Sequence, residues 1–181
     1  MISFTKNQML ILGLLYSNQE KEYYFREIAS FLNKKPGVFQ RDLNKLEEKG
    51  IVKSHYRGNQ RYFKIEKQYP LYNELKSIIF KTTGIQGKLK NLVESFSKIK
   101  KAFLFGSFVL EKTDKLSDID ILIIGSPKIE EFSNKIREIE KTLDREINYI
   151  IYSLKEFNEK TKNKDPFLMN VLKNKIILKD E

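Results

Sequence analysis

The stretch FGSFVLEKTDKLSDIDILI, Phe105 to Ile123, constrains this chain more than any other. An apolar run, Ala102-Phe103-Leu104-Phe105, stops at Gly106-Ser107. After a spacer, Asp118-Ile119-Asp120 opens a second apolar run, Ile121 to Ile124. Side chains alternate faces along a strand, so carboxylates two positions apart point the same way. Asp118 and Asp120 therefore form a paired carboxylate, while Ile119 and Ile121 turn to the opposite face, into a core. Two acids held side by side repel unless a cation sits between them. Oxygen ligands at that spacing suit Mg²⁺, which keeps several waters and shares phosphate oxygens with a substrate. Gly106-Ser107 supplies backbone N–H groups and a hydroxyl suited to phosphate.

Phe105-Gly106-Ser107 followed by Ser117-Asp118-Ile119-Asp120 resembles the signature of the DNA polymerase β-type nucleotidyltransferase superfamily. The resemblance spans residues 88 to 178, close to a minimal nucleotidyltransferase. It implies a small mixed-sheet fold and a site for a nucleoside triphosphate with Mg²⁺ or Mn²⁺. It also implies that Gly106, Ser107 and Ser117 contact the nucleotide, and that Asp118 and Asp120 are catalytic metal ligands. In-line attack on the α-phosphorus would then release pyrophosphate. Active members take a third carboxylate from the next strand, which completes a two-metal site. Here that strand is Arg145 to Tyr152, and the acid position falls on Asn148, between Ile147 and Tyr149. Asparagine offers one neutral carbonyl oxygen, a poor replacement for a carboxylate that holds metal and accepts a proton. Glu146 lies two residues earlier and shares the Asn148 face, which makes it the alternative third acid.

The first sixty-seven residues follow another pattern. Met9, Leu10, Leu12 and Tyr16 recur at helical spacing behind Thr5, a fitting N-cap. Tyr24 to Leu32 places Phe25, Ile28, Phe31 and Leu32 on the stripe of a second helix. Asn33-Lys34-Lys35 makes a turn, and Pro36 opens a third helix that Gly50 ends. A strand from Ile51, turn chemistry at Arg57-Gly58-Asn59 and a returning strand, Gln60 to Ile65, make a hairpin. Three helices and a hairpin in this order predict a winged helix-turn-helix. Arg26-Glu27-Ile28-Ala29 and the run Leu43 to Val52 resemble the winged-helix families of small bacterial and archaeal regulators. In that family the third helix enters the major groove and the wing touches the backbone. The expected DNA contacts are Lys34, Lys35, Gln40, Arg41, Asn44 and Lys45 at the start or on the polar face of the third helix, with Arg57 and Arg61 on the wing. Residues 1 to 67 hold thirteen basic against seven acidic residues, a balance of +6. Arginine and lysine suit phosphates, while glutamine, asparagine and arginine read base edges. His55, the only histidine, sits in the first wing strand and reads as a packing residue.

Tyr69-Pro70 marks a boundary, and Leu71 to Phe80 reads as a connecting helix. The expected organisation is thus a winged helix-turn-helix over 1–67, a connector over 68–87 and a nucleotidyltransferase-like domain over 88–181, an α/β (α+β) chain. A net charge of +10 and a pI near 9.5 favour a polyanionic partner. There is no cysteine, hence no disulfide framework or thiolate site. No signal-peptide pattern or apolar run of membrane-spanning length is present, so no membrane partner and a cytoplasmic location are expected. The leading expectation is a DNA-binding, regulator-like protein, expected to be a homodimer on duplex DNA. Its second domain binds nucleotide and Mg²⁺ or transfers a nucleotidyl group to an unknown acceptor. Two alternatives stand beside it. One is an active transferase that uses the winged helix to hold its acceptor; the other is a catalytically dead, antitoxin-like partner-binding module.

Overall fold

A computed structural model describes residues 3–107, 109 and 118–181. The chain is a mixture of helices and strands with two separate sheets. It divides into two compact units: Met1–Gly87 with Lys141–Asp144, and Lys88–Glu140 with Arg145–Glu181.

Unit 1 begins with α1 (Lys6–Ser17). Thr5 caps it: its Oγ1 accepts from Gln8 N at 3.1 Å, and Gln8 Oε1 accepts from Thr5 N at 3.0 Å. That reciprocal pair satisfies two donors that the first helical turn leaves open. A two-residue strand, β1 (Tyr23–Tyr24), then leads into α2 (Phe25–Phe31). The expected second helix thus starts one residue late, because Tyr24 is paired with Tyr62 in the sheet. The third helix is also shorter than expected. Pro36–Val38 forms a separate 3₁₀ turn, and α3 runs Gln40–Glu48. Proline starts a helical turn well but Gly37 weakens its continuation, and Phe39, fully buried, turns the chain into the core. Gly50, at φ +71°, closes the helix in the left-handed conformation that glycine adopts without strain. β2 (Val52–Arg57) and β3 (Gln60–Ile65) form an antiparallel hairpin, giving the sheet order β1-β3-β2. The helix expected as a connector, α4 (Tyr72–Lys81), sends Leu75 and Ile79 into the same core as Ile11, Leu15, Leu43 and Phe63.

α5 (Ile85–Glu94) runs across Gly87, so it begins inside the stretch expected as a connector. A Cβ at Gly87 would strike the carbonyl of Thr82, so the tight turn between α4 and α5 needs glycine there. Unit 2 is built on a four-stranded sheet of β4 (Ile99–Phe105), β5 (Ile119–Gly125), β6 (Ile147–Tyr152) and β7 (Ile176–Asp180), in the order β6-β5-β4-β7. β4 runs antiparallel to β5 and β7, whereas β5 and β6 are parallel, so the sheet is mixed. α6 (Ile129–Leu143) makes the crossover between the two parallel strands, and its Phe132 meets Tyr149 and Phe96 edge-on. α7 (Leu154–Lys162) and α8 (Pro166–Lys173) cover the other face, where Phe103, Leu122, Ile124, Leu168 and Val171 form a core. Asp165 caps α8, accepting from Leu168 N at 2.9 Å ahead of Pro166.

Candidate functional site

The parallel pairing of β5 with β6 places the acid pair. Asp120 lies beside Asn148 in register, and on the other side faces Phe105 of β4. Laterally paired residues share a sheet face, so Phe105, Asp120 and Asn148 form one row. Ile119 and Ile121 are fully buried on the opposite face, as alternation requires. Ile119 N donates to Glu146 O at 3.0 Å, and Glu140 Oε1 accepts from Ile147 N at 2.8 Å, which pins the start of β6.

Asn148 borders the pair directly. Its Nδ2 donates to Asp118 Oδ2 at 3.1 Å, and it stands in register beside Asp120. Burial pushes the Asp120 carboxyl above the usual carboxylate range; the Asn148 amide opposes that shift, and the charge of Asp118 adds to it. The pair is therefore held by one neutral amide, with residual repulsion that a cation would relieve. Gly106 stands at φ +83°, and a Cβ there would collide with Asp120 Oδ2. Only glycine lets the backbone after β4 come so close to the carboxylate. Ser107 follows it, half-buried; Ser117 lies outside the described residues.

Glu146 is exposed at the entry to β6. Among the described residues, no group of three His, Cys, Asp or Glu side chains could hold a metal, so Glu146 does not complete a three-acid cluster with Asp118 and Asp120. On the same face, Phe105 meets Phe167 of α8 edge-on at 5.6 Å, and Phe167 remains 38% exposed.

The expected DNA contacts of unit 1 fall into two groups. Lys34, Lys35, Gln40, Arg41 and Lys45 are exposed at and along α3. Gln40, Arg41, Asn44 and Lys45 line a shallow depression of ≈ 460 Å³ with Gly37 and Glu48. The wing arginines are held inside the unit. Arg61 Nη1 donates to Asn44 Oδ1 at 3.0 Å, its Nε donates to Ser54 Oγ at 2.9 Å, and its Nη2 pairs with Glu47. Arg57 pairs with Glu22 and lies over the Tyr62 ring at 4.9 Å. Glu22 also takes Lys64 and lies 3.6 Å from His55 Nε2, and the bond from Lys64 holds its carboxyl below the usual range. His55 stacks on Tyr62 at 6.0 Å. The sequence reading missed Glu22 and Glu47 as anchors. Hairpin register was the available signal, since Tyr56 opposite Arg61 and Ser54 opposite Phe63 turn Arg61 toward α3.

Compared with known families, residues 87–181 match the model described as polymerase beta, nucleotidyltransferase. That is just over half of the chain, and the chain belongs to this family. No curated protein matches it. Among solved structures, a toxin-antitoxin with AMP-PNP is 17% identical, with 53% of this chain and 73% of that one covered and a TM-score of 0.40. A Sulfolobus solfataricus protein solved as a candidate nucleotidyltransferase is 19% identical, with 51% and 73% covered and a TM-score of 0.29. At these scores neither likeness bears on function here. No helix among the described residues is long and apolar enough to cross a membrane.

Proposed function

We propose that this chain is a DNA-binding, regulator-like protein whose second unit binds a nucleoside triphosphate with a divalent cation, and transfers its nucleotidyl group poorly or not at all. The observation that carries this is Asn148, standing in register beside Asp120 and hydrogen-bonded to Asp118. The residues present fit one Mg²⁺ or Mn²⁺. Asp118 and Asp120 would hold it, and Gly106 and Ser107 would meet the phosphates. Such a cation, when bound, neutralises the pair and draws triphosphate oxygens to the site. A second ion would lack its carboxylate, and an attacking hydroxyl would lack a proton acceptor. Loss of a general base alone costs about 10²–10⁴-fold.

Unit 1 is proposed as a winged helix-turn-helix over 1–67, followed by a connector over 68–87 and the nucleotidyltransferase-like domain over 88–181. What supports the DNA role is the row of exposed Lys34, Lys35, Gln40, Arg41 and Lys45 at α3 beside an antiparallel hairpin. Arg41 and Lys45 would contact duplex phosphates. Arg61 and Asn44 bind each other and contribute by holding the wing against α3.

Transfer from α-labelled ATP to supplied acceptors, across wild type, Asn148→Asp and Glu146→Gln, tests the catalytic half. Wild type should give little product, and Asn148→Asp should bind Mg²⁺ more tightly and gain activity. Robust wild-type turnover that survives Glu146→Gln would mean that the third strand has been assigned the wrong role. Fluorescence anisotropy with duplex DNA tests the other half. Binding should fall steeply with salt as counterions are released, and no binding at low salt would refute it.

A further inference from the structure

Between α3 and the inner face of the β2–β3 hairpin lies a groove of ≈ 800 Å³. Its walls include Phe25, Phe63, Tyr56, Gln40, Asn44 and Arg61. We infer that this groove is a pocket for one unpaired nucleobase of a single-stranded nucleic acid. The inference rests on the nucleic-acid role proposed for unit 1, but gives it a second ligand class, in a groove that borders the α3 depression and shares Gln40 and Asn44 with it.

The volume falls in the range of small-ligand pockets, which are mainly aromatic with a few placed polar groups. Tyr56 is 69% exposed, so its ring does not serve the core. It stands directly across the hairpin from Arg61, whose guanidinium lies 5.9 Å from the Tyr56 ring and 4.9 Å from that of Phe63. Arg61 is fixed there by Ser54, Asn44 and Glu47. A planar cation locked against aromatic rings is preorganised for a flat ligand rather than free to follow a phosphate. Across the groove, Gln40 and Asn44 bring amides from α3. Asn44 Oδ1 accepts from Arg61, which leaves its NH₂ as the donor for a base edge. Aromatic face, guanidinium plane and side-chain amides are the groups that stack and read a base whose face is free. A base inside a duplex offers only its edge. The excess of basic residues in residues 1–67, +6, favours a polyanion over an apolar peptide as the occupant.

Tyr56 supplies the test. Anisotropy of the full chain with a labelled single strand, and with the duplex of the same sequence, should be compared across wild type, Tyr56→Ala and Tyr56→Phe. Both variants should melt as wild type does, since the Tyr56 ring lies outside the core. Tyr56→Ala should weaken single-strand binding about tenfold, the loss of one stacked base, with duplex affinity changed by less than about twofold, and Tyr56→Phe, which keeps the ring, should bind both ligands as wild type does. Equal losses on both ligands in Tyr56→Ala, or no loss on the single strand, would overturn the inference while leaving the duplex-binding reading of unit 1 in place. Competition by free ATP as strong as that by the unlabelled single strand would overturn the single-strand assignment. Absence of binding to either form at low salt would instead remove the underlying nucleic-acid role.

Discussion

The lysine- and arginine-paired acids of unit 1 and the Asp118–Asp120 pair of unit 2 meet opposite fates. In unit 1, Glu22 gathers Lys64, Arg57 and His55, Glu47 takes Arg61, and Glu66 takes Lys53 at 2.8 Å. The carboxyls of Glu22 and Glu66 are held below their ordinary range, chiefly by hydrogen bonds from Lys64 and Lys53. In unit 2, Asp118 and Asp120 face each other across a neutral amide, and burial raises Asp120. An acid matched with a cation inside the fold spends its charge on structure. An acid pair left short of a cation keeps its charge for a ligand.

The largest single-substitution effect should come from Gly106→Ala. A Cβ in the left-handed region costs about 1–2 kcal/mol, and here it also displaces Asp120. Unit 2 should lose at least about 5 °C in melting temperature, with nucleotide affinity falling alongside. A variant that melts and binds as wild type does would show that the close approach is dispensable.

Asn148→Asp sharpens the contrast next. Without metal it adds a third like charge and should lower the melting temperature; with Mg²⁺ it should melt above wild type. Calorimetry with and without the ion measures both signs. No metal dependence would exclude Asn148 from the ion site.

Fold class and the acid pair were legible because strand alternation and glycine chemistry are local properties. The strand run, Gly106-Ser107 and the two aspartates two positions apart fix one another without tertiary context. What was not legible depended on packing. The 3₁₀ break before α3 follows from Phe39 entering the core, and β1 exists only because Tyr24 meets Tyr62. The wing arginines looked like free phosphate contacts, since nothing in a linear chain places Glu22 near Arg57 or Glu47 near Arg61. Asn148 was legible as a substitution, but its place beside Asp120 and its bond to Asp118 needed the register of β5 with β6.

Smaller effects concern charge. Arg41→Ala or Lys45→Ala should weaken duplex binding and reduce the salt slope by about one each. An unchanged slope would remove that residue from the phosphate contacts. Titration should separate the two kinds of acid. Asp120, raised in the fold, weakens metal-free folding at neutral pH, and that penalty fades as pH drops through its raised value and the ordinary carboxylate range. Asp120→Asn should therefore stabilise the metal-free protein at pH 7 and do little in acid. Glu22, lowered in the fold, contributes stability above its ordinary range and loses it as pH falls through its depressed value. Glu22→Gln should destabilise at pH 7, because Lys64, Arg57 and His55 lose their shared carboxylate. Melting curves across pH check both, and matching signs for the two variants would break the comparison.

Titration calorimetry of ATP with Mg²⁺ is the most direct test that the acid pair is the nucleotide site. Wild type, the Asp118→Ala/Asp120→Ala double variant and Glu22→Gln should be run side by side. The double variant should lose the Mg²⁺-dependent part of the binding, and Glu22→Gln should keep it. Identical Mg²⁺-dependent affinity in wild type and the double variant would place the nucleotide elsewhere and leave Asp118 and Asp120 as surface charges at the start of a strand.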